Sequence, residues 1–244
     1  MLEPPLSDRR RREILRQSLS VGVATGAYAI SFGALSVTAG LNLWQTITLS
    51  ALLFTGGSQF ALVGIIAAGG SGAVAVATST LLAVRNGLYG LQMSRLLGVS
   101  GLRRLAAAHL TIDESTAVGI AQTERNGQRL GFWATGLAVF VLWNLLTILG
   151  ALLGNALGDP KVFGLDAVAP AAFCALLWPR LKSGEARAVA GVSAVIALVV
   201  APHAPVGIPV LVAALAAAVA GLLPPRDQAG QVNVSTPPDG EAAG

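Results

Sequence analysis

Charge is what this sequence has least of. Of its 244 residues only 11% are Asp, Glu, Lys or Arg, while 54% are hydrophobic and the mean hydropathy is +0.69. A soluble domain carries about 25% charged residues, so these residues cannot clothe a water-facing surface, and the chain reads as an integral membrane protein. Cysteine is nearly missing: Cys174 stands alone, which excludes an intramolecular disulfide and a cysteine-based zinc site. The two histidines, His109 and His203, give no metal-ligand spacing, so no metal and no other cofactor is expected. There is no GxxxxGK[ST], no HExxH and no GxSxG with a plausible triad, which excludes a P-loop ATPase in this chain and leaves no nucleophile and base for an enzyme. Energy for transport would have to come from a gradient or from another subunit. The net charge of +4 does not point to nucleic acid, because the basic residues lie in short clusters between apolar blocks, as orientation signals do.

What is there is apolar sequence in membrane-length pieces. Candidate helices are Leu19–Gly40, Leu43–Ala68, Gly72–Leu97, Leu105–Thr123, Leu130–Leu153, Val162–Leu181, Ala186–Val200 and Ala204–Leu223, against the roughly 20 apolar residues a span requires. The first follows a basic start, as a signal peptide would, but its apolar part from Leu19 to Gly40 exceeds the roughly 7–15 residues of a signal h-region. The predicted fold is all-α: a polytopic bundle of six to eight hydrophobic helices, one of them broken at Gly56–Gln59. A basic segment over residues 1–18 precedes the permease domain at 19–223. A polar tail rich in Pro and Gly over 224–244 is expected to be disordered, and Met1 to about Asp8 to fray.

Basic residues arbitrate the topology, since Lys and Arg favour the cytoplasmic side. Eight spans would leave 11 basic loop residues inside and 4 outside; six spans, with Leu43–Ala68 turning back at its "TGGSQ" centre and Leu105–Thr123 lying at the cytoplasmic surface, leave 14 inside and 1 outside. Charge placement prefers six, and either arrangement puts both termini in the cytoplasm.

Three places break the apolar pattern. Arg85 stands alone in "LLAVRNGLYGL", at a cost of about 2.5–3.5 kcal/mol for a charge at a helix centre; it should face protein or water, as a structural ion pair, in a cargo or coupling role, or snorkelling part of the way to the headgroups. "LFTGGSQFAL" sets Gly56, Gly57, Ser58, Gln59 and Phe60 between two apolar half-helices. A discontinuous helix offers free N–H and C=O groups at mid-membrane depth, although glycines equally serve close helix packing. "HLTIDESTAVG" holds Asp113 and Glu114, which point about 100° apart on a helix, so at most one is expected to be buried. They are countercharges for Arg85 or Arg104, solvated surface residues, or carboxylates on a transport path. Asn144 reads as interhelical glue, Asp166 as a helix-start carboxylate and Pro170 as a residue that frees a backbone carbonyl.

In order and spacing, "FTGGSQFALVGIIAAG", "LLAVRNGLYGLQMSRLL", "IDESTAVG" and "FGLDAVAPAAFCALLWPRL" resemble the AzlC family, the large subunits of branched-chain amino-acid exporters. The resemblance runs from about Leu19 to Leu181. It implies a bacterial inner-membrane permease that works with a small hydrophobic AzlD-type subunit and exports valine, leucine, isoleucine or related amino acids, methionine among them. It places the family's glycine-serine-glutamine segment on Gly56, Ser58, Gln59 and Phe60, its intramembrane arginine on Arg85, and its acidic pair on Asp113 and Glu114. The family's Asn-Leu-Arg-His reads Ala83-Val84-Arg85-Asn86 here. A zwitterionic cargo needs partners for carboxylate and ammonium and an apolar pocket. Half-helix N–H groups near Gly57 and Ser58, or Arg85, suit the first; Gln59, freed carbonyls, Asp113 or Glu114 the second; Leu53, Phe54 and Phe60 the third. The other class of reading is a non-transporting membrane scaffold whose polar residues hold helices together and stabilise a partner complex.

Overall fold

The computed structural model describes residues 5–157 and 181–222, with Ala171, Cys174, Leu177 and Trp178. Asp166, Pro170, most of the Val162–Leu181 block and the tail beyond Pro224 lie outside the described residues. Within them the chain is all helix: α1 (Asp8–Thr38), α2 (Leu43–Leu52), α3 (Gly56–Ala67), α4 (Gly72–Leu97), α5 (Gly101–His109), α6 (Asp113–Ile120), α7 (Arg125–Leu157), α8 (Gly184–Val200) and α9 (Ile208–Leu222). Among the described residues, α1 and α7 are long and apolar enough to cross a membrane; α3 and α9 are apolar but shorter.

α1 and α7 form the spine, and small residues let them close on each other. Ser18, Gly22, Gly26, Ala29 and Gly33 recur at three- and four-residue intervals along one buried face of α1, the pattern that brings membrane helices into near-backbone contact. A methyl at Gly33 would collide with the backbone of Thr147, and one at Gly150 with the backbone of Ile30. Contacts pair Ser18 with Thr135, Gly22 with Ala138, Gly26 with Leu142 and Ala34 with Gly154. Both numbers rise together, so the two helices run parallel.

Between them in sequence the chain makes two dips. Leu43–Ala68 is not one helix, but the break lies at Leu53 to Thr55, with Thr55 at φ −157° and ψ 102°, and not at Gly56–Gln59, which form the first turn of α3. Ser50 meets Thr147 while Phe54 meets Phe140, so α2 runs antiparallel to α7. Gly56 and Gly57 share a cavity with Thr25 and Tyr28, whereas Phe60 packs on Phe32, so α3 turns back and runs parallel to α1. α4 then descends against α3 with Arg85 opposite Gly57 and ends where Gly98 takes φ +60°, a left-handed residue that terminates helices well.

The second dip is the mirror of the first. Leu105–Thr123 also resolves into two short helices, α5 rising from Ser100 to His109 and α6 returning from Asp113. Leu110 and Ser115 lie against Gly136, Val118 against Gly131, and Gly119 against Gln128 and Phe132, which makes α6 antiparallel to α7. The two tips touch, His109 lying 5.8 Å from Phe54 and 5.5 Å from Phe140, ring centre to ring centre. A polar side chain clasps each turn. Gln59 Nε2 donates to the carbonyls of Leu49 (3.3 Å) and Ser50 (3.2 Å); Ser115 Oγ donates to Leu110 O (2.6 Å) and accepts from Ile112 N–H (3.1 Å).

Charge divides the ends of the bundle. The start of α1, with Arg9 to Arg12 and Arg16, meets the loop before α7 through Arg10 and Gln122, 2.8 Å apart. Arg125 and Arg129 donate to the carbonyls of Arg95 and Leu96, and so cap the end of α4. Arg103 and Arg104 sit on exposed positions of the neighbouring α5. No charged residue occurs from Gln17 to Val84 or from Leu130 to Gly158, so the turns Thr38–Leu43 and Ala67–Gly72 at the opposite end carry no charge.

Candidate functional site

Arg85 is 13 residues into α4 and 12 from its end, halfway along. Its Nη2 lies 2.8 Å from Asp113 Oδ2, and Asp113 is the first residue of α6, where a carboxylate complements the helix dipole. The pair joins the tip of the second dip to the middle of α4. The same Nη2 covers Gly57, where a Cβ would stand 3.2 Å from it. A methyl at Gly57 would be tight and would need the flexible end of Arg85 to give by a few tenths of an ångström.

The pair forms one wall of a pocket at half height, the rest coming from Thr25 and Tyr28 of α1, Phe54 to Gly57 and Phe60 of the first dip, Ile112 and Glu114 of the second, and Val139 and Trp143 of α7. Val139 is 14 residues from the start of α7 and Trp143 is 14 from its end. All three long helices therefore give the pocket their central turns. Phe32, Phe60 and Trp143 pack as an aromatic group behind it, with centroids 5.7–6.4 Å apart. Its free space is about 40 Å³, room for a few waters and far below the roughly 300 Å³ at the low end of small-molecule sites.

Of the other sequence candidates, Ser58, Gln59, Asn86 and Asn144 fall outside this lining. Ser58 and Gln59 are fully buried in α3, Ser58 Oγ without a hydrogen-bond partner and Gln59 bonded to the end of α2. Asn86 follows Arg85 on α4 and is partly buried, its Oδ1 unpaired. Asn144 bonds the Phe140 carbonyl of its own helix at 2.8 Å. Glu114 lines the pocket beside Asp113. Sequence reading passed over Trp143, Thr25 and Tyr28. Trp143 adjoins Asn144 in "FVLWNLL", and its signal was available: an indole within a span needs a partner for its N–H.

Comparison with known proteins locates this arrangement. The family model described as AzlC protein matches residues 20–157, a stretch that holds every pocket residue. The chain belongs to the AzlC family. It is also similar to the inner membrane protein YgaZ of Escherichia coli (strain K12), 30% identical over 171 residues, which cover 66% of this chain and 69% of that protein. No solved structure matches the chain. Membership in the AzlC family and the likeness to YgaZ support a membrane, transport-related role.

Proposed function

We propose that this chain is the large permease subunit of a two-component, gradient-driven exporter of amino acids, with valine, leucine and isoleucine as cargo and methionine as a further candidate. It would sit as a multi-pass protein in a bacterial inner membrane, both termini cytoplasmic, beside a small AzlD-type hydrophobic subunit. The observation that carries the reading is the Arg85–Asp113 pair at half height in a pocket with apolar and aromatic walls. A zwitterion with an apolar side chain needs one cation, one anion and a greasy wall, and these residues supply all three.

The basic end lies toward the cytoplasm on the positive-inside rule. α1, α4 and α7 then cross, while α2–α3 enters from outside and α5–α6 from inside, each turning at mid-membrane. Short helices whose termini meet there are how many transporters build a cargo site. Arg85, Gly56, Gly57 and Phe60 bind cargo in this scheme, Asp113 and Glu114 exchange charge with it, and Ser58, Gln59 and Asn86 hold the path from behind.

Efflux of radiolabelled leucine, valine, isoleucine and methionine from preloaded cells tests the proposal, comparing the chain alone, the chain with its small partner, and Arg85→Ala with that partner. Partner-dependent efflux, lost in Arg85→Ala at unchanged membrane level, is expected. No efflux of any of the four with both proteins verified in the membrane would overturn the cargo assignment.

A further inference from the structure

Two residues of the pocket lining, Trp143 and Arg85, carry polar donors that no described residue uses. Trp143 is 3% exposed and its Nε1 has no hydrogen-bond partner; the buried Nε of Arg85 has none either. An unsatisfied donor of this kind calls for an explanation, because leaving it unpaired costs about as much as a hydrogen bond is worth. Trp143 sets the Cη2 tip of its ring against Gly56, 3.0 Å from where a Cβ would stand, with Cζ2 and Cζ3 both at 3.6 Å. Gly56 and Gly57 open α3 behind Thr55, which supplies no side-chain cap. Their N–H groups precede the first turn's carbonyls and have no acceptor within the helix.

Electrostatics points the same way. The start of α3 carries a partial positive charge, and the Arg85 guanidinium is laid directly on it at Gly57. Two positive groups in contact are unfavourable unless an anion lies beside them. Asp113 answers Arg85 at Nη2, the nitrogen that also faces Gly57, and the start of α3 adds its N–H donors beside the pair.

We propose that the α3 side of the pocket is a carboxylate seat, in which Trp143 Nε1, Arg85 Nε and the N–H groups of Gly56 and Gly57 receive the carboxylate of an amino-acid cargo, with Trp143 as a determinant of specificity. The inference rests on the amino-acid reading above and names which end of the cargo binds where. The ammonium falls to Asp113 and Glu114, and the side chain to Phe54, Phe60 and Val139.

The test measures binding of three probes of one carbon skeleton to the full chain in lipid nanodiscs: leucine, 4-methylpentanoate, which lacks the ammonium, and 3-methylbutylamine, which lacks the carboxylate. Trp143→Phe, which keeps an aromatic ring and removes the N–H, is measured beside the unsubstituted chain. Leucine and 4-methylpentanoate should compete for one site, the amine should bind at least 10-fold more weakly, and Trp143→Phe should weaken the two carboxylates about 10- to 100-fold, the usual worth of a hydrogen bond to a charged group. Leucine and the amine binding equally well, or a folded Trp143→Phe that binds leucine unchanged, would overturn the seat and leave amino-acid transport standing. Binding of 4-methylpentanoate that depends on Trp143, without binding of leucine, would uphold the seat and overturn the amino-acid reading. No binding of any probe to the unsubstituted chain overturns the seat, and the comparison among probes needs no variant to fold.

Discussion

Arg85 and Asp113 are partly exposed, 30% and 21% by side chain, and that decides what their pairing can do. A fully buried pair costs about 3–5 kcal/mol to break from one side, whereas an exposed pair is worth 0–1 kcal/mol. This one falls between. On the proposed reading, a zwitterionic cargo that takes up both charges exchanges this contact for like ones, so the step is close to balanced and can run in both directions. Asp113→Asn should therefore lower thermal stability by only about 1–3 kcal/mol yet abolish efflux, which melting in detergent and transport assays on one preparation would separate. Equal transport by Asp113→Asn and the parent would remove the pair from the mechanism. The arginine was legible in the sequence as a charge with nowhere to go. Its partner was not: Asp113, Glu114 and solvent were all open until the folding of α5 and α6 brought Asp113 to the middle of α4.

At the scale of elements the decisive features are a clasp and a close approach. Gln59 reads in sequence as a polar residue near a site, but in the fold its amide holds α3 to the open end of α2, where the Ser50 carbonyl has lost its helical partner. Gln59→Ala should cost about 1–3 kcal/mol through that unpaired carbonyl, with a falling melting temperature and an unchanged apparent affinity for cargo. An affinity loss at constant melting temperature would return Gln59 to the pathway. Gly150→Ala places a methyl into the Ile30 backbone; overpacking costs roughly 1–3 kcal/mol, more where backbone must yield, so the amount of folded protein in the membrane should fall sharply. Gly64→Ala, which meets nothing within 4 Å, is the control and should be neutral. The small-residue stripe on α1 was open to reading in the sequence, though nothing there named α7, over a hundred residues away, as its partner.

At the scale of the molecule, charge at one end and dips from both ends make a topology that labelling can check. With Cys174 replaced by serine, Thr38→Cys and Gly72→Cys should react with a membrane-impermeant maleimide on intact cells, and Arg12→Cys and Ser100→Cys only after permeabilisation. Gly72 on the side of Ser100 would mean that α2–α3 crosses rather than returns. Composition determined by itself that this is a helical membrane protein, because only satisfied backbone survives in lipid and so few charges cannot cover a soluble surface. The motifs determined the family, and the lone arginine marked a wall of the central pocket. The tertiary structure decided the rest. Hydropathy averages over a window and cannot tell a helix that crosses from two half-helices that turn back, so the paired dips, the Arg85–Asp113 contact and the unpaired indole of Trp143 exist only in the packing of segments far apart along the chain.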